Sequence, residues 1–248
     1  MNCCSLYKKV EIVPGTYADY KHLAQYHYRD NGPGQFTKIY ALKPTDKSSW
    51  GTQTIGIIVY STATLGQALR NIATHNFFIG FDQKTQLALL NKYVRRISRV
   101  IIEPCFRGLG LAKMLVRETM PIMNFPIIEA VAVMGAVNPF FEKAGMTTYT
   151  APEKAQNIRL KEALSAVGIE QQLWIDPVTA HRRIDRLPNE AAKFIETEFR
   201  LFLQSYADRR YSRPSLMRTT FILNKLTARP VYYIWFNPTK NAKVINKN

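Results

Sequence analysis

Cysteine is scarce in this 248-residue chain, with three residues, of which Cys3 and Cys4 are adjacent and Cys105 stands alone. Three cysteines cannot make the disulfide framework of a small secreted domain, and no Cys or His pair has zinc-finger spacing. The adjacent pair is compatible with a lipid anchor, but a reduced intracellular chain is the simpler reading. A long apolar run is missing as well: nothing approaches the roughly 20 residues a membrane helix needs. The start, Met1-Asn2-Cys3-Cys4, lacks the basic region and apolar stretch of a signal peptide. No internal repeat or low-complexity tract interrupts the sequence. These absences predict a soluble, cytoplasmic protein with no membrane partner and no metal site.

Acid is the other shortage. Eighteen Asp and Glu face 34 Lys and Arg, a formal net charge of +16. Such a field favours polyanions and speeds their encounter. The shortage is patterned. Between Asp82 and Glu103 there is no acid, whereas Lys84, Lys92, Arg95, Arg96 and Arg99 lie in that interval. After Asp208 there is none, while Arg209, Arg210, Arg213, Arg218, Lys225 and Arg229 follow, interleaved with Tyr211 and Phe221. Arg and Lys neutralise phosphates and aromatics stack on exposed bases, so a nucleic-acid partner is expected, held by Arg209, Arg210, Arg213, Arg218, Arg95 and Arg96. A generic basic surface kept for solubility is the alternative.

What is present reads as alternating strands and helices. Strands are predicted at Tyr7 to Val13, Phe36 to Leu42, Ile55 to Tyr60, Arg99 to Glu103, Ile127 to Val133, near Met146 to Thr150, and at Pro230 to Phe236. Helices are predicted at Thr16 to Arg29, Leu65 to Ala73, Gln86 to Val94, Leu109 to Met120, Pro139 to Ala144, Glu153 to Val167 and Asn189 to Tyr206. The organisation expected is a core over 1–151, a basic helical insertion over 152–227, and a final strand with a polar tail over 228–248.

The clearest chemical signal is the run from the Arg99 strand through Pro104 to Arg107-Gly108-Leu109-Gly110-Leu111-Ala112 and a helix. Glycines let a backbone approach a ligand closely. A helix start aims N–H groups and a positive dipole end at the same point. Arg107 adds a charged fork. Together these make a pyrophosphate cradle. The run is neither a dinucleotide fingerprint nor a Walker A loop: Lys113 stands where the former needs Gly or Ala, and the Lys-Ser/Thr of the latter is missing.

This segment resembles the acyl-CoA motif of the GNAT acyltransferase superfamily. Asn138-Pro-Phe-Phe-Glu-Lys-Ala-Gly145-Met146 resembles that superfamily's later Phe-Tyr-Glu-Lys-x-Gly-Phe segment. The resemblance implies a mixed α/β fold: a strongly twisted mixed sheet that splays open after the Arg99 strand, with helices on both faces and here a helical insertion before the last strand. It implies acetyl-CoA, or another acyl-CoA, as cofactor. Val100, Ile101 and Ile102 would pair with the pantetheine arm. Arg107, Gly108, Leu109, Gly110, Leu111 and Ala112 would line the pyrophosphate, and Asn138 would sit near the thioester. The tyrosine that protonates the leaving thiolate in many members is Phe141 here, so Tyr149 is the substitute candidate.

Tyr26-His27-Tyr28-Arg29, followed by Gly32-Pro33-Gly34, is similar to a segment of GNAT proteins related to the phage Mu Mom protein. That resemblance implies transfer to an exocyclic amine of a DNA base, which guards phage DNA against restriction. His27 or Glu103 would be the base, Tyr28 would hold the flipped nucleobase, and Arg29 would contact nucleic acid. RNA- or protein-directed acetyl transfer, and a non-catalytic nucleic-acid-binding protein, are the alternatives.

Overall fold

The computed structural model describes residues 9–26, 35–46, 54–133, 135, 137–206, 211–228 and 230–240. They fall into two compact units, one of 1–150 with 230–248, the other Ala151–Arg229. None of the described helices is long and apolar enough to cross a membrane.

The first unit is built on a mixed sheet of seven strands among the described residues. In chain order these are β1 (Val10–Pro14), β2 (Phe36–Pro44), β3 (Gly56–Thr62), β4 (Val94–Ile102), β5 (Ile127–Ala132), β6 (Thr147–Tyr149) and β7 (Val231–Phe236). Their spatial order is β1-β2-β3-β4-β5-β7-β6. All neighbours are antiparallel except β4 and β5, which are parallel.

Helices lie on both faces, as the resemblance implies. β3 shows why: its side chains alternate between the faces and both sets are buried. Ile58 and Tyr60 join Leu115, Val116 and Met120 of α4 (Leu111–Met123) in one cluster. Ile57 and Val59 join Tyr20 and Leu23 of α1 (Tyr17–Ala24) on the other. That second face continues through α2 (Ala68–Ala73) and α3 (Gln83–Tyr93), where Ala73, Phe78 and Leu90 pack on Val94, Ile127 and Tyr232.

Sequence periodicity misplaced the boundary between α3 and β4. It expects helix to Val94 and strand only from Arg99. Instead α3 starts at Gln83, capped by the Asp82 carboxylate on the N–H groups of Lys84 and Thr85, and β4 begins at Val94. Val94 to Ile97 are strand because they pair with Ile127 to Ala130, a partner far along the chain.

The second unit has its own core. It comprises α6 (Ala155–Ala166), α7 (Pro177–Asp185), α8 (Asn189–Gln204) and α9 (Leu216–Thr227), around Leu160, Leu164, Trp174, Phe199, Phe202, Ile222 and Leu226. Asp176 and Pro177 start α7 with a cap and a proline at the first position, and Ser215 caps α9. Neither helix is among the expected ones. The unit enters after β6 and leaves before β7. These strands are hydrogen-bonded neighbours with Tyr149 opposite Tyr232, so it is a long insertion into one β-hairpin.

Candidate functional site

The site arises where β4 and β5 part company. Their parallel ladder runs from Val94 opposite Ile127 to Ile97 opposite Ala130 and stops there. On its other edge β4 stays paired with β3 as far as Ile102 opposite Gly56. A bulge marks the parting: Arg99 faces Val59 and Ile97 faces Tyr60, leaving Ser98 outside the ladder, its hydroxyl donating to the Val59 carbonyl at 3.2 Å. A bulge adds bend and twist to one strand, which steers β4 away from β5. The sheet therefore splays between the Arg99 strand and β5, from Ser98 onward, as the resemblance implies.

A cavity of about 670 Å³ fills the opening. Val100, Ile101 and Ile102 form one wall, and Val131, Ala132 and Val133 the other. Gly108, Gly110, Leu111, Ala112 and Arg107 close one end; Asn138, Phe140 and Phe141 also line it. The structure thus brings together all but one of the residues assigned to the cofactor from the sequence. The exception is Leu109, whose side chain is 45% exposed in the turn before α4 and lines no part of the cavity. The helix starts at Leu111, so Leu109 does not share the apolar face of α4.

The turn depends on its glycines. Gly108 has φ +82° and Gly110 φ +78°, left-handed values that cost an L side chain roughly 1–2 kcal/mol each. Gly110 is the N-cap of α4 and offers no side chain to the first N–H groups of the helix. Those donors are left for a ligand, where the helix dipole also favours an anion. Arg107 holds the loop. Its Nε donates to the Ile102 carbonyl at 3.0 Å and its Nη2 to the Tyr26 carbonyl at 3.3 Å. At least part of its expected role is therefore to tie the turn to β4 and to the chain just after α1.

Cations dominate the lining. Arg96, Arg99, Arg107, Lys113 and Lys143 all border the cavity, and no carboxylate does among the described residues. Tyr26 is the one phenol in that lining among the described residues.

The acid–base candidates divide. His27, Tyr28 and Arg29 lie outside the described residues. Glu103 follows β4, and its Oε2 is buried with no hydrogen-bond partner. Tyr149 is a correction: its ring packs edge-on to Tyr232, centroids 6.4 Å apart, in the cluster of α2 and α3, and it lines none of the cavity. β6 pairs Tyr149 with Tyr232 and Thr148 with Tyr233, and alternation sends Tyr149 to the Tyr232 face. Phe141, on α5 (Phe140–Lys143), is 5% exposed, between Phe140 and Tyr233 at centroid distances of 4.3 and 5.1 Å. Burial, and then the charge of Glu142, raise the Tyr233 phenol above its ordinary range.

The basic candidates also divide. Arg218 is 4% exposed and makes a bidentate pair with Glu196, at 2.7 and 2.6 Å, over the Phe199 ring. It holds α9 to α8 and is not a phosphate contact. Arg95 lies over the Phe125 ring at 3.9 Å and donates to the carbonyls of Asn91 and Val94. Burial lowers its pKa. Arg96, its neighbour on β4, points to the other face and reaches Thr64 Oγ1 at 3.2 Å, so the two form no shared patch. Arg213 is exposed; Arg209 and Arg210 lie outside the described residues. The charge itself is not concentrated in the insertion. Residues 1–150 and 230–248 hold 20 Lys and Arg against 9 acids, and 151–229 hold 14 against 9.

Sequence reasoning missed a buried polar centre on the opposite face. Arg70 and Glu129, 2% and 1% exposed, pair bidentately at 2.7 and 2.6 Å, and the Tyr232 hydroxyl donates to Glu129 at 2.9 Å. Burial and the adjacent Glu129 charge hold the Tyr232 phenol far above its usual range. No spacing rule links positions so far apart in sequence. The only available signal was a lone Glu inside an apolar strand.

No family model and no curated protein matches the chain. Among solved structures it is similar to an IAA acetyltransferase from Bacillus cereus, at 16% identity over 57% of this chain and 79% of that one, with a TM-score of 0.36. It is also similar to a chain of the NatC complex bound to Gag peptide and CoA (14% identity, 60% and 89% covered, TM-score 0.38). A third is AtaT complexed with acetyl-methionyl-tRNAfMet (13% identity, 56% and 86% covered, TM-score 0.33). Similarity at this level assigns neither an activity nor a substrate to this chain.

Proposed function

We propose that the protein is a GNAT-type transferase that moves an acyl group from acetyl-CoA, or a related acyl-CoA, to an exocyclic amine of a nucleic-acid base, DNA being the substrate. One observation carries the reading. The β4–β5 ladder ends at Ile97 opposite Ala130, β4 runs on beside a cavity towards an uncapped helix start at Gly110, and no carboxylate lines that cavity among the described residues. The stretch of β4 beyond the ladder suits an amide-bearing pantetheine arm. The N–H cluster suits a pyrophosphate. The cationic lining repels polyamines and favours acceptors that carry phosphate.

In the transfer, the amine nitrogen attacks the thioester carbonyl, the carbon–sulfur bond breaks, the nitrogen loses a proton and the thiolate gains one. An exocyclic amine conjugated with its ring is a poor nucleophile, so orientation and proton removal matter more than for an alkyl amine. His27 accepts that proton and Tyr28 holds the base; Glu103, the other candidate, follows β4 but lines none of the cavity. Tyr26 takes the donor role that Phe141 and Tyr149 cannot fill, as the one phenol lining the cavity among the described residues. Arg29, Arg96 and Arg213, with Arg209 and Arg210, contact phosphates.

The test is to incubate the protein with acetyl-CoA and plasmid DNA, and in parallel with RNA, digest to nucleosides and measure masses. A new acylated deoxynucleoside is expected. An acylated ribonucleoside alone would move the acceptor to RNA, and no CoA binding by calorimetry would sink the transferase reading.

A further inference from the structure

The last helix of the second unit has two unlike sides. Arg218, Thr219, Ile222, Leu223 and Leu226 of α9 are buried in that unit. Met217, Thr220, Phe221 and Asn224 stand at the i, i+3, i+4 and i+7 positions of the other side. With Tyr211 and Leu216 they line an open depression of about 590 Å³. Met217 is 59% exposed, so this side of the helix has an apolar surface that the unit's core leaves in water. The rings around it have a definite arrangement. Tyr211 lies flat on Phe221, centroids 4.0 Å apart and planes 15° apart, and Tyr206 meets Phe221 edge-on at 5.5 Å. Lys225 Nζ stands 5.3 Å from the Phe221 centroid and 5.4 Å from that of Tyr206. Arg213, exposed, lies between Tyr211 and α9. No acid occurs in α9 or anywhere from residue 209 to 248.

We propose that this depression is a stacking seat for an unpaired base of single-stranded DNA, a contact made by the second unit with residues other than those of the cavity in the first. The class of partner rests on the nucleic-acid reading above, and none of the transfer chemistry is needed. Every base has a π-face, so a flat aromatic platform accepts it whatever the sequence. Phe221 backs the Tyr211 ring and Tyr206 backs Phe221, which holds the platform in place before a base arrives. Met217 adds a flexible, polarizable contact. The Thr220 hydroxyl and the Asn224 amide supply donors and acceptors for a base edge, which a purely aliphatic partner would leave unmet. Lys225 and Arg213 supply charge for the phosphates on either side of the base, with no carboxylate on α9 to oppose them. A paired base is stacked above and below within the duplex, so its faces are not free for such a platform; an unpaired one is.

The experiment is fluorescence anisotropy of the full chain with three labelled DNAs: a short single strand, the same strand made abasic, and the duplex. Wild type is expected to bind the base-bearing strand at least about fivefold more tightly than the abasic one, the lower end of what one stacked base contributes. Tyr211→Leu is expected to remove that margin and to leave the abasic strand and the duplex bound as before, while Tyr211→Phe keeps wild-type binding of all three. Met217→Glu changes an exposed position, puts a carboxylate into the depression, and is expected to weaken the base-bearing strand too; it decides the matter if thermal melting shows that Tyr211→Leu has not folded. Wild type binding the base-bearing and abasic strands alike would overturn the seat and leave the nucleic-acid reading intact. So would folded Tyr211→Leu or Met217→Glu protein that binds the base-bearing strand as wild type does, or a Tyr211→Leu loss equal for all three DNAs. Wild type binding none of the DNAs would remove the nucleic-acid reading along with the seat.

Discussion

Replacing Arg70 by methionine tests the buried polar centre beneath the splay. Glu129 sits on β5 opposite Arg96, one rung before the parallel ladder ends, and its carboxylate is closed off from water by Arg70 and Tyr232. Methionine keeps the volume but leaves the carboxylate charged, buried and held by one hydroxyl. Breaking a buried pair from one side costs about 3–5 kcal/mol. For a unit of this size each kcal/mol lowers the midpoint by roughly 2–4 °C, so the first unit should melt about 6–20 °C earlier. Removing both charges, Arg70→Met with Glu129→Leu, takes away the stranded charge and should restore most of that loss. Scanning calorimetry of wild type, the two single variants and the double variant completes the cycle. A shift under about 2 °C for Arg70→Met, or a double variant as unstable as the sum of the singles, would refute the argument that a desolvated charge is what the pair protects.

Three further outcomes are expected. Gly110→Ala should weaken CoA binding at least tenfold in calorimetric titration while costing about 1–2 kcal/mol of stability, because φ +78° is unfavourable for alanine and relaxing it turns the Leu111 N–H away; unchanged affinity would show that the turn is not the anion site. Asp19 loses some ionisation tendency to burial, but Lys43 at 2.9 Å, the Thr16 N–H and the hydroxyls of Thr54 and Thr16 outweigh that and hold it well below the usual carboxylate range. Its depressed folded pKa means its contribution is complete above about pH 4, the unfolded value, and is lost as the pH falls through the folded one. The melting-point gap between wild type and Asp19→Asn should therefore be constant at neutral pH and close in acid; a gap widening in acid would contradict this. Arg218→Ala should lower the melting point of the second unit, since it strands Glu196 and uncovers Phe199, while leaving the salt slope of nucleic-acid binding unchanged; a slope reduced by about one would make it a phosphate contact after all.

The sequence by itself determined the features that short stretches of chain can encode. The Arg107 to Ala112 turn was legible because left-handed backbone demands glycine, and an amphipathic helix follows it directly. The central strand at 56–62 and the insertion between the last two strands were legible for the same local reason: apolar runs and helical periodicity need no partner to be seen. Tertiary pairing decided the rest. Val94 to Ile97 became strand only because β5 runs beside them, and the splay exists only because Ser98 is left out of the β3 ladder. Whether an arginine meets a phosphate or a carboxylate depended on what the fold brought within reach, Glu196 for Arg218 and Glu129 for Arg70. Tyr149 was misassigned because a one-residue step along a strand reverses the face a side chain serves, and sequence distance to a motif does not count such steps. Chemistry carried by neighbours in the chain can be read from the chain; chemistry that needs a desolvated partner from another element is settled only when the sheet and its helices close around both.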